Sequence, residues 1–344
     1  MPQPHKNYAS IDLAKFAAAL LVVVLHLGPG GLFVKQFLCR LAVPFFLVCA
    51  GYFLFSKLQK GSAPSPVVLP YFLRILRLYA VWTVLYYLAL PLFTLSYNRQ
   101  EIAFLVHPLQ LLQRLFLTGS WSVLWYLLGL LWAVALCWLC LRLGLGAKGT
   151  LIAAALLHLF GLAGQGIASF SLQIPLLGAL LNAVQLVFDS TRNGPFFSFF
   201  YVALGLWLAS QPLPSRRFAA GGLALSAPLL CCEVYAVQHF FEGAASAPDY
   251  YLLTIPTIFF LFALLIQVGG EAGPAHRALR TMSTLIYCSH ILVWLVLGFI
   301  CWLLGISLSS PALFALVLGL SSAFSLAVTF LARRQGFRWL RWLY

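Results

Sequence analysis

Charged residues are scarce in this sequence, and acidic ones are the scarcest. Only 8% of the 344 residues are charged, and Asp and Glu together number 7. Because a water-soluble domain carries about 25% charged residues, this composition excludes a chain that folds as a water-facing globule. With 62% hydrophobic residues and a mean hydropathy of +0.96, the sequence instead predicts one helical bundle in a membrane.

The sequence also lacks the ligand spacing of a metal or redox centre. Its 8 cysteines all lie in or beside apolar runs. Cys137 and Cys140 form a C-x-x-C motif, but they lie within an apolar stretch without a second such pair or a nearby histidine. Small packing residues are the favoured interpretation of these cysteines, and no bound metal is predicted.

Ten apolar runs approach or exceed the roughly 18 residues that indicate a membrane-spanning helix. They cover residues 11–27, 37–55, 71–94, 121–141, 151–163, 195–209, 219–237, 250–268, 283–304 and 311–331. An eleventh run, 171–188, is interrupted by Gln173, Pro175, Asn182 and Gln185. The predicted fold is therefore an all-α, polytopic membrane helical bundle of about ten transmembrane helices, forming a single domain over residues 1–344.

The distribution of basic residues predicts which way the helices run. With ten spans and a cytoplasmic N-terminus, 15 of the 21 lysines and arginines lie on the inner side, 5 lie on the outer side, and Lys15 lies within the first span. Counting 171–188 as a further span would move eight later arginines outside, against the positive-inside rule. We therefore predict that both termini are cytoplasmic and that 171–188 is a re-entrant or interfacial helix on the outer face.

The same sorting explains the net charge of +14. The basic residues are spread over every inner loop, which favours contacts with anionic membrane lipids over nucleic-acid binding. The first run carries Asp12 and Lys15 and lacks a small-x-small cleavage site. We therefore expect this run to be retained as a span of a multi-pass cell-membrane protein.

The first helix holds three ionisable residues, Asp12, Lys15 and His26. A charged residue at the centre of a span costs about 2.5–3.5 kcal/mol on insertion scales, so such residues are candidates for function. The spacing of Lys15 and His26 places them on one helix face, about 16 Å apart, and Asp12 can pair with Lys15. Alternatively, Asp12 and Lys15 lie in the membrane interface, and His26 ends its helix among the outer headgroups.

Further polar residues mark both sides of the predicted bundle. Arg74 and Arg77 lie one turn apart at the inner end of the third span and suit a phosphate group, or they simply anchor that helix. The other candidates are Glu233 in the seventh span, Tyr287 and His290 near the inner end of the ninth, and Arg192 and Asn193 just before the sixth. For each of these, a structural polar contact is an equal alternative.

Six motifs occur in order along the chain: IDLAKFAAALLVVVLH, VPFFLVCAGYFLF, LRILR, WSVLWYLLGLL, TRNGPFFSFFYVALG and STLIYCSHILV. Together they resemble the acyltransferase 3 family of integral membrane acyltransferases. The similarity extends to the branch that includes the membrane half of vancomycin-type serine racemases. The chain stops at Tyr344 directly after the last span, so no racemase domain is expected.

The resemblance implies transfer of an acyl group, commonly acetyl from acetyl-CoA, to a hydroxyl of an extracytoplasmic glycan, lipid-linked sugar or cell-envelope acceptor. The family's basic-x10-His motif corresponds to Lys15 and His26, and its paired-arginine motif corresponds to Arg74 and Arg77. Arg74 and Arg77 would hold the phosphates of acyl-CoA, which is a co-substrate rather than a bound cofactor. The chain departs from the family in having Lys15 where arginine is usual and Ala50 where serine is usual.

The chemistry of these residues agrees with that role. Acyl transfer to a hydroxyl needs a base near neutral pH or a nucleophile, and His26 suits either. Lys15, with Asp12 beside it, would stabilise the developing oxyanion if the substrate reaches inward along that helix face. Tyr287 and His290 either line the donor path or brace their helix. The candidates for acceptor binding are Glu233, Arg192, Asn193 and Trp125.

The main alternative function is a transporter or exporter of a small polar solute such as an amino acid. Buried Asp, Lys, His and Glu side chains can form a proton relay or a solute site. Transporters often contain inverted repeats, and the sequence shows no internal repeat, which counts against this function. A membrane scaffold without chemistry is a third interpretation, disfavoured by the number of ionisable residues within spans.

Overall fold

The structure, a computed structural model, describes residues 8–58, 63–92, 107–240, 248–270 and 272–344. Within these ranges the chain is helical and contains no β-strand. The α-helices are α1 Ala9–Leu27, α2 Leu32–Phe37, α3 Ala42–Phe55, α4 Ser65–Leu88, α5 Pro108–Gln113, α6 Trp125–Arg142, α7 Gly146–Ala163, α8 Ala168–Ser171, α9 Pro175–Phe188, α10 Phe199–Ser210, α11 Arg216–Phe240, α12 Thr254–Val268, α13 Pro274–Leu303 and α14 Ser310–Leu331. Two 3-10 segments cover Cys39–Leu41 and Gln335–Leu343, and two π-turns cover Arg114–Thr118 and Gly194–Ser198.

Eight of the described helical stretches are long and apolar enough to cross a membrane: α1, Phe33–Phe55, Ser65–Leu92, α6, α7, α11, α13 and α14. Three shorter apolar helices are α9, Gly194–Ser210 and α12. Each of the ten predicted spans overlaps one of these stretches, and the end of the third at Thr94 lies outside the described residues. The polytopic helical bundle is confirmed, while the number of crossings and their orientation stay predictions.

The interrupted run at 171–188 forms α9, which has 14 residues. Pro175 occupies its first turn, where a missing N–H leaves no hydrogen bond unmade, and Asp189 ends it with a φ of 57°. A helix of this length is shorter than the roughly 20 residues that span a bilayer. It has the size expected of the predicted interfacial or re-entrant helix.

The ninth predicted span begins earlier than the hydropathy pattern indicated. We predicted 283–304, but α13 begins at Pro274 and has 30 residues. Arg277 and Arg280 lie in its first turns and lower the hydropathy there, so an apolar window cannot detect that the helix has started. As a result His290 lies in the middle of a long helix, and its predicted position near the inner end was wrong.

The chain divides into two compact units. The first comprises Met1–Gly31, Arg77–Leu111 and Leu265–Tyr344, and the second comprises Leu32–Leu76 and Leu112–Leu264. The assignment of residues 1–344 to a single domain stays a prediction.

In the first unit, α1 packs along α13, and α13 packs along α14. The α1 face that is buried carries small side chains, with Ala18, Ala19, Val22 and Val23 all at most 5% exposed. Small residues allow helix backbones to approach closely in a membrane. The start of α1 is also fixed by a hydrogen bond from Ser10 Oγ to the Leu265 carbonyl at 2.6 Å.

In the second unit, α3 packs against α10 through two glycines. A Cβ added at Gly51 would lie 2.2 Å from the carbonyl oxygen of Val202, and one added at Gly205 would lie 2.4 Å from that of Val48. The backbones of α3 and α10 are therefore in contact at Gly51 and Gly205. The glycine of the AGYF sequence is required by this crossing.

We predict that Gly51→Ala lowers the melting temperature of the detergent-purified protein. A methyl group at this position meets backbone atoms that cannot rotate away, and overpacking of this kind costs about 1–3 kcal/mol. The matched control is Gly319→Ala in α14, where an added Cβ meets nothing within 4 Å. Equal melting temperatures for the two variants would contradict the close α3–α10 crossing.

Candidate functional site

Two histidines from different helices lie together in the first unit. His26 is near the end of α1, His290 is in the middle of α13, and their ring centroids are 5.4 Å apart with planes inclined at 40°. His26 is exposed, whereas His290 is 0% exposed. An accessible imidazole thus lies against a buried one.

The buried ring of His290 has a defined tautomer. Its Nδ1 lies 3.0 Å from the Ile286 carbonyl oxygen and 2.8 Å from that of Tyr287. Because carbonyl oxygens only accept hydrogen bonds, we assign the proton to Nδ1, which leaves Nε2 with a lone pair. Nε2 is buried and has no hydrogen-bond partner among the described residues, so the ring beside His26 carries a buried lone pair.

An ion pair between a buried carboxylate and an exposed guanidinium joins the two helices that carry these histidines. Arg280 Nε donates to Asp12 Oδ1 at 2.7 Å, and Arg280 Nη2 donates to Oδ2 at 2.8 Å. The Asp12 side chain is 4% exposed. Bidentate pairing of this kind is strong and directional, so it fixes the register of α1 against α13.

The two contacts also give the relative direction of α1 and α13. From Asp12 to His26 α1 rises about 21 Å, and from Arg280 to His290 α13 rises about 15 Å. Since the contacts follow in the same order along both helices, the helices run in the same direction, and the long arginine side chain covers the difference in rise. This is the direction that the predicted topology requires of the first and ninth spans.

The ion pair changes the interpretation of Asp12. Both of its carboxylate oxygens accept from Arg280, so Asp12 is bound to α13, while its predicted pairing with Lys15 stays a prediction. Lys15 is half-buried on the same helix. We interpret Asp12 as a positioning residue. Its arginine partner was missed because positive-inside counting assigned Arg280 to an inner loop.

The remaining donor-side candidates differ in their surroundings. Tyr287 is buried, and its ring lies at 60° to that of His290 with centroids 6.3 Å apart. Arg74 and Arg77 are exposed on α4, and the Arg77 guanidinium lies 5.5 Å from the centre of the Trp342 ring. His26, Tyr287 and His290 therefore form one cluster, while the two arginines lie on an accessible helix surface.

In the second unit, two arginines share one carboxylate. Arg192 Nη1 lies 3.2 Å from Asp249 Oδ1, and Arg40 Nη1 forms an ion pair with the same oxygen. Arg40 Nε also donates to Gln36 at 3.2 Å. Two cations around one anion leave a net positive charge, and this cluster lies on the outer side in the predicted topology. The sequence analysis missed Arg40 and Asp249 as site residues, because each stands far from Arg192 along the chain.

The Arg192 guanidinium also lies over an aromatic ring. Its central carbon is 4.8 Å from the centre of the Trp125 ring, which is a cation–π distance. Trp125 and Arg192, predicted separately as acceptor-binding residues, are thus neighbours. A flat aromatic face beside a fixed cation suits a polar ligand that also has an apolar face.

Asn193 and Glu233, the other two acceptor candidates, are engaged by the backbone. Asn193 Oδ1 accepts from the Phe196 N–H at 3.0 Å, and its Nδ2 donates to the Ser190 carbonyl at 2.9 Å. Glu233 accepts from the N–H groups of Leu252 and Leu253 at 2.6 and 2.7 Å. Asn193 caps the π-turn at Gly194–Ser198, and Glu233 holds the turn that precedes α12.

A second buried histidine, His158, was not predicted. Its ring stacks between Phe200 and Tyr250 with centroids 4.6 and 5.1 Å away, and its Nδ1 lies 3.0 Å from the Phe196 carbonyl. It is 1% exposed. A lone histidine in an apolar run carries no signal that distinguishes this aromatic core position from a chemical one.

Comparison with known proteins identifies related chains. The family model for acyltransferase 3, described as an acyltransferase domain, matches residues 8–334. The chain is 25% identical over 289 residues to an amino-acid racemase of Enterococcus faecalis, a match that covers 81% of this chain and 38% of the relative. It is 29% identical over 269 residues to a serine/alanine racemase of Enterococcus gallinarum, covering 75% of this chain and 37% of the relative. No solved structure matches significantly.

We predict that Asp249→Asn destabilises the second unit. Without the carboxylate, the partly buried guanidinium groups of Arg40 and Arg192 repel each other. Breaking a buried pair costs about 3–5 kcal/mol; with side chains 15% and 34% exposed, solvent screening reduces the expected loss to about 1–3 kcal/mol. The measurement is the midpoint of thermal unfolding in detergent.

The control for this prediction is Asp189→Asn, which removes the same charge at an exposed position. Its backbone has a φ of 57°, a conformation that asparagine tolerates well. Equal midpoints for the two variants would show that Asp249 does not hold the arginines together.

Proposed function

The chain belongs to the acyltransferase 3 family, and we propose that it transfers an acyl group from cytoplasmic acyl-CoA to a hydroxyl of an extracytoplasmic acceptor. Acetyl-CoA is the donor that we expect. The acceptor class is a glycan, a lipid-linked sugar or another cell-envelope component. The protein is a multi-pass membrane acyltransferase in the general sense, and this proposal concerns which groups it joins.

The observation that supports the proposal is the pair of histidines in the first unit. His26 is accessible, and the buried ring of His290 packs beside it. A base that acts near neutral pH must both reach the substrate and pass its proton on. An accessible imidazole held by a packed neighbour can reach the substrate, and it returns its proton to the leaving CoA thiolate.

The reaction can be written with His26 as general base. The acceptor oxygen bonds to the thioester carbonyl carbon while His26 takes the hydroxyl proton. The carbon–sulfur bond then breaks, and the CoA thiolate leaves as the thiol with that proton. With His26 as nucleophile, its ring nitrogen takes the acyl group first, CoA leaves, and the acceptor hydroxyl then attacks the acyl-imidazole.

The other residues of the first unit have supporting roles in this proposal. His290 holds its Nδ1 proton on two backbone carbonyls and packs against the His26 ring, which limits the orientations open to His26. The Asp12–Arg280 pair keeps α1 in register with α13. Lys15 lies on the same face of α1 as His26 but about 16 Å from it, so it acts on the oxyanion only where the substrate reaches inward along that face.

Substrate binding is assigned to two groups of residues. Arg74 and Arg77, both exposed on α4, bind the phosphates of acyl-CoA through guanidinium groups one turn apart. Arg192 and Trp125 form the acceptor surface, with Arg40 and Asp249 fixing the Arg192 side chain. Asn193 and Glu233 shape the segments beside that surface instead of binding the acceptor directly.

A second candidate function is transport of a small polar solute such as an amino acid. The observation that favours it is the name of the relatives, an amino-acid racemase and a serine/alanine racemase. The chain spans less than two fifths of their length, so the matched part is distinct from most of each relative. A membrane part working with a racemase would move an amino acid.

We predict that His26→Ala lowers the rate of CoA release by about 10²–10⁴-fold, the usual effect of removing an acid–base group. The assay follows free thiol from acetyl-CoA with the full chain in proteoliposomes and an envelope glycan extract as acceptor. The matched control is His239→Ala, which removes an exposed histidine on α11.

Two results would count against the proposal. One is a folded His26→Ala variant that retains the wild-type rate. The other is a folded wild-type sample that neither binds nor consumes acetyl-CoA or longer acyl-CoAs. If that sample also exchanges labelled serine across the vesicle membrane, the transporter becomes the better assignment.

A further inference from the structure

The first unit contains a cavity of about 390 Å³ that is lined by three arginines, Arg277, Arg333 and Arg341. It lies where the first turns of α13, the end of α14 and the Gln335–Leu343 segment meet. Neither Asp nor Glu lines it; Tyr344, which carries the carboxylate at the end of the described chain, does line it, and the three arginines remain in excess. In the predicted topology this cavity opens on the cytoplasmic side, near the surface of the membrane.

Local structure explains why the three arginines converge. Pro274, Arg277 and Thr281 line the cavity from one face of α13, because residues three and four apart share a helix face. Arg341 Nε donates to the Ala332 carbonyl at 3.1 Å, and this hydrogen bond holds the 3-10 segment against the end of α14. Arg333 follows that helix end directly.

The electrostatics of the cavity favour an anion. The ion pairs among the described residues are Arg40–Asp249, Arg192–Asp249 and Arg280–Asp12, so none of them neutralises a cavity arginine. Like charges around one cavity repel each other. The start of α13 adds the positive end of a helix dipole. A bound anion would reduce the repulsion among the three arginines, and it would also interact favourably with the positive end of the α13 dipole.

We propose that this cavity binds the phosphate group of an organic phosphate. Guanidinium groups match the planar, bidentate geometry of phosphate oxygens. The volume lies within the roughly 300–1,000 Å³ of small-molecule sites, which is larger than a phosphate ion needs. The open cavity thus has room for a larger molecule, and both an anionic phospholipid headgroup and the nucleotide end of coenzyme A present a phosphate on such a molecule.

The cavity is structurally linked to the middle of α4, where Arg77 lies. The segment that carries Arg341 also carries Trp342, over which the Arg77 guanidinium lies at 5.5 Å. Trp82 Nε1 donates to the Leu343 carbonyl at 3.1 Å. A ligand that orders the Gln335–Leu343 segment thus also orders the part of α4 proposed to hold the donor. The coenzyme A source rests on the proposed function, whereas the phospholipid source does not.

The test compares two double variants of the full chain in nanodiscs. Arg277→Gln with Arg333→Gln removes two cavity charges and leaves Arg341 to hold the Ala332 carbonyl. Arg334→Gln with Arg338→Gln is the matched control, because both are exposed and neither lines the cavity. The probes are coenzyme A in phosphatidylcholine nanodiscs, with competition by 3′,5′-ADP, and retention of phosphatidylglycerol measured by native mass spectrometry.

The cavity variant is expected to weaken binding of one probe by tenfold or more, and the control to change it by less than twofold. Loss of coenzyme A binding, with 3′,5′-ADP competing in the wild type, assigns the nucleotide. Loss of phosphatidylglycerol retention assigns the lipid. Unchanged binding of both probes, or an equal loss in the control, overturns the proposal.

Two further variants separate this proposal from the proposed function. Arg74→Gln with Arg77→Gln should weaken coenzyme A binding and leave phosphatidylglycerol retention intact. His26→Ala should leave both probes bound while transfer is lost. If His26→Ala keeps full transfer activity but the cavity variant loses a probe, the catalytic assignment fails and the cavity site stands.

Discussion

The arrangement of the first unit depends on the ion pair between Asp12 and Arg280. Asp12 is 3% exposed, and an unpaired charge within a membrane costs about 2.5–3.5 kcal/mol on insertion scales. Neither helix can slide along the other without separating both charges. The register that brings His26 against His290 therefore follows from one bidentate contact about 15–21 Å away along the helices. Tyr287 and the backbone carbonyls around His290 then fix the buried ring.

In the second unit, polar side chains serve mainly to hold segments that have no helical hydrogen bonds of their own. Glu233 accepts two backbone N–H groups before α12, and Asn193 caps a π-turn. Of the acceptor candidates in this unit, Arg192 keeps a charge for a ligand, with Arg40 on the other side of Asp249. At the α3–α10 crossing, glycines are needed for a different reason, because the two backbones leave no room for side chains.

Hydropathy alone predicted the helical bundle and nearly every helix, because apolar runs are long and charges are few. It also selected His26 and Asp12, since ionisable residues stand out within apolar runs. The pairing of His26 with His290 was not predictable, because it depends on how α1 packs against α13. In addition, Arg277 and Arg280 lower the hydropathy at the start of α13, so the apolar pattern placed that start too late. The partners of Glu233 and Asn193 are backbone amides, which leave no mark in the side-chain pattern. Arg40 and Asp249 lie far from Arg192 in sequence, so only the fold brings them together.

The most direct test of the account is a double-mutant cycle on the two histidines. Transfer rates are measured for His26→Ala, His290→Ala and the double variant in the same proteoliposomes. If the two rings act as one unit, the double variant is no slower than His26→Ala alone, because removing one member already removes the joint function. If the two losses multiply, the histidines act independently, and the proposed pair is not the catalytic unit.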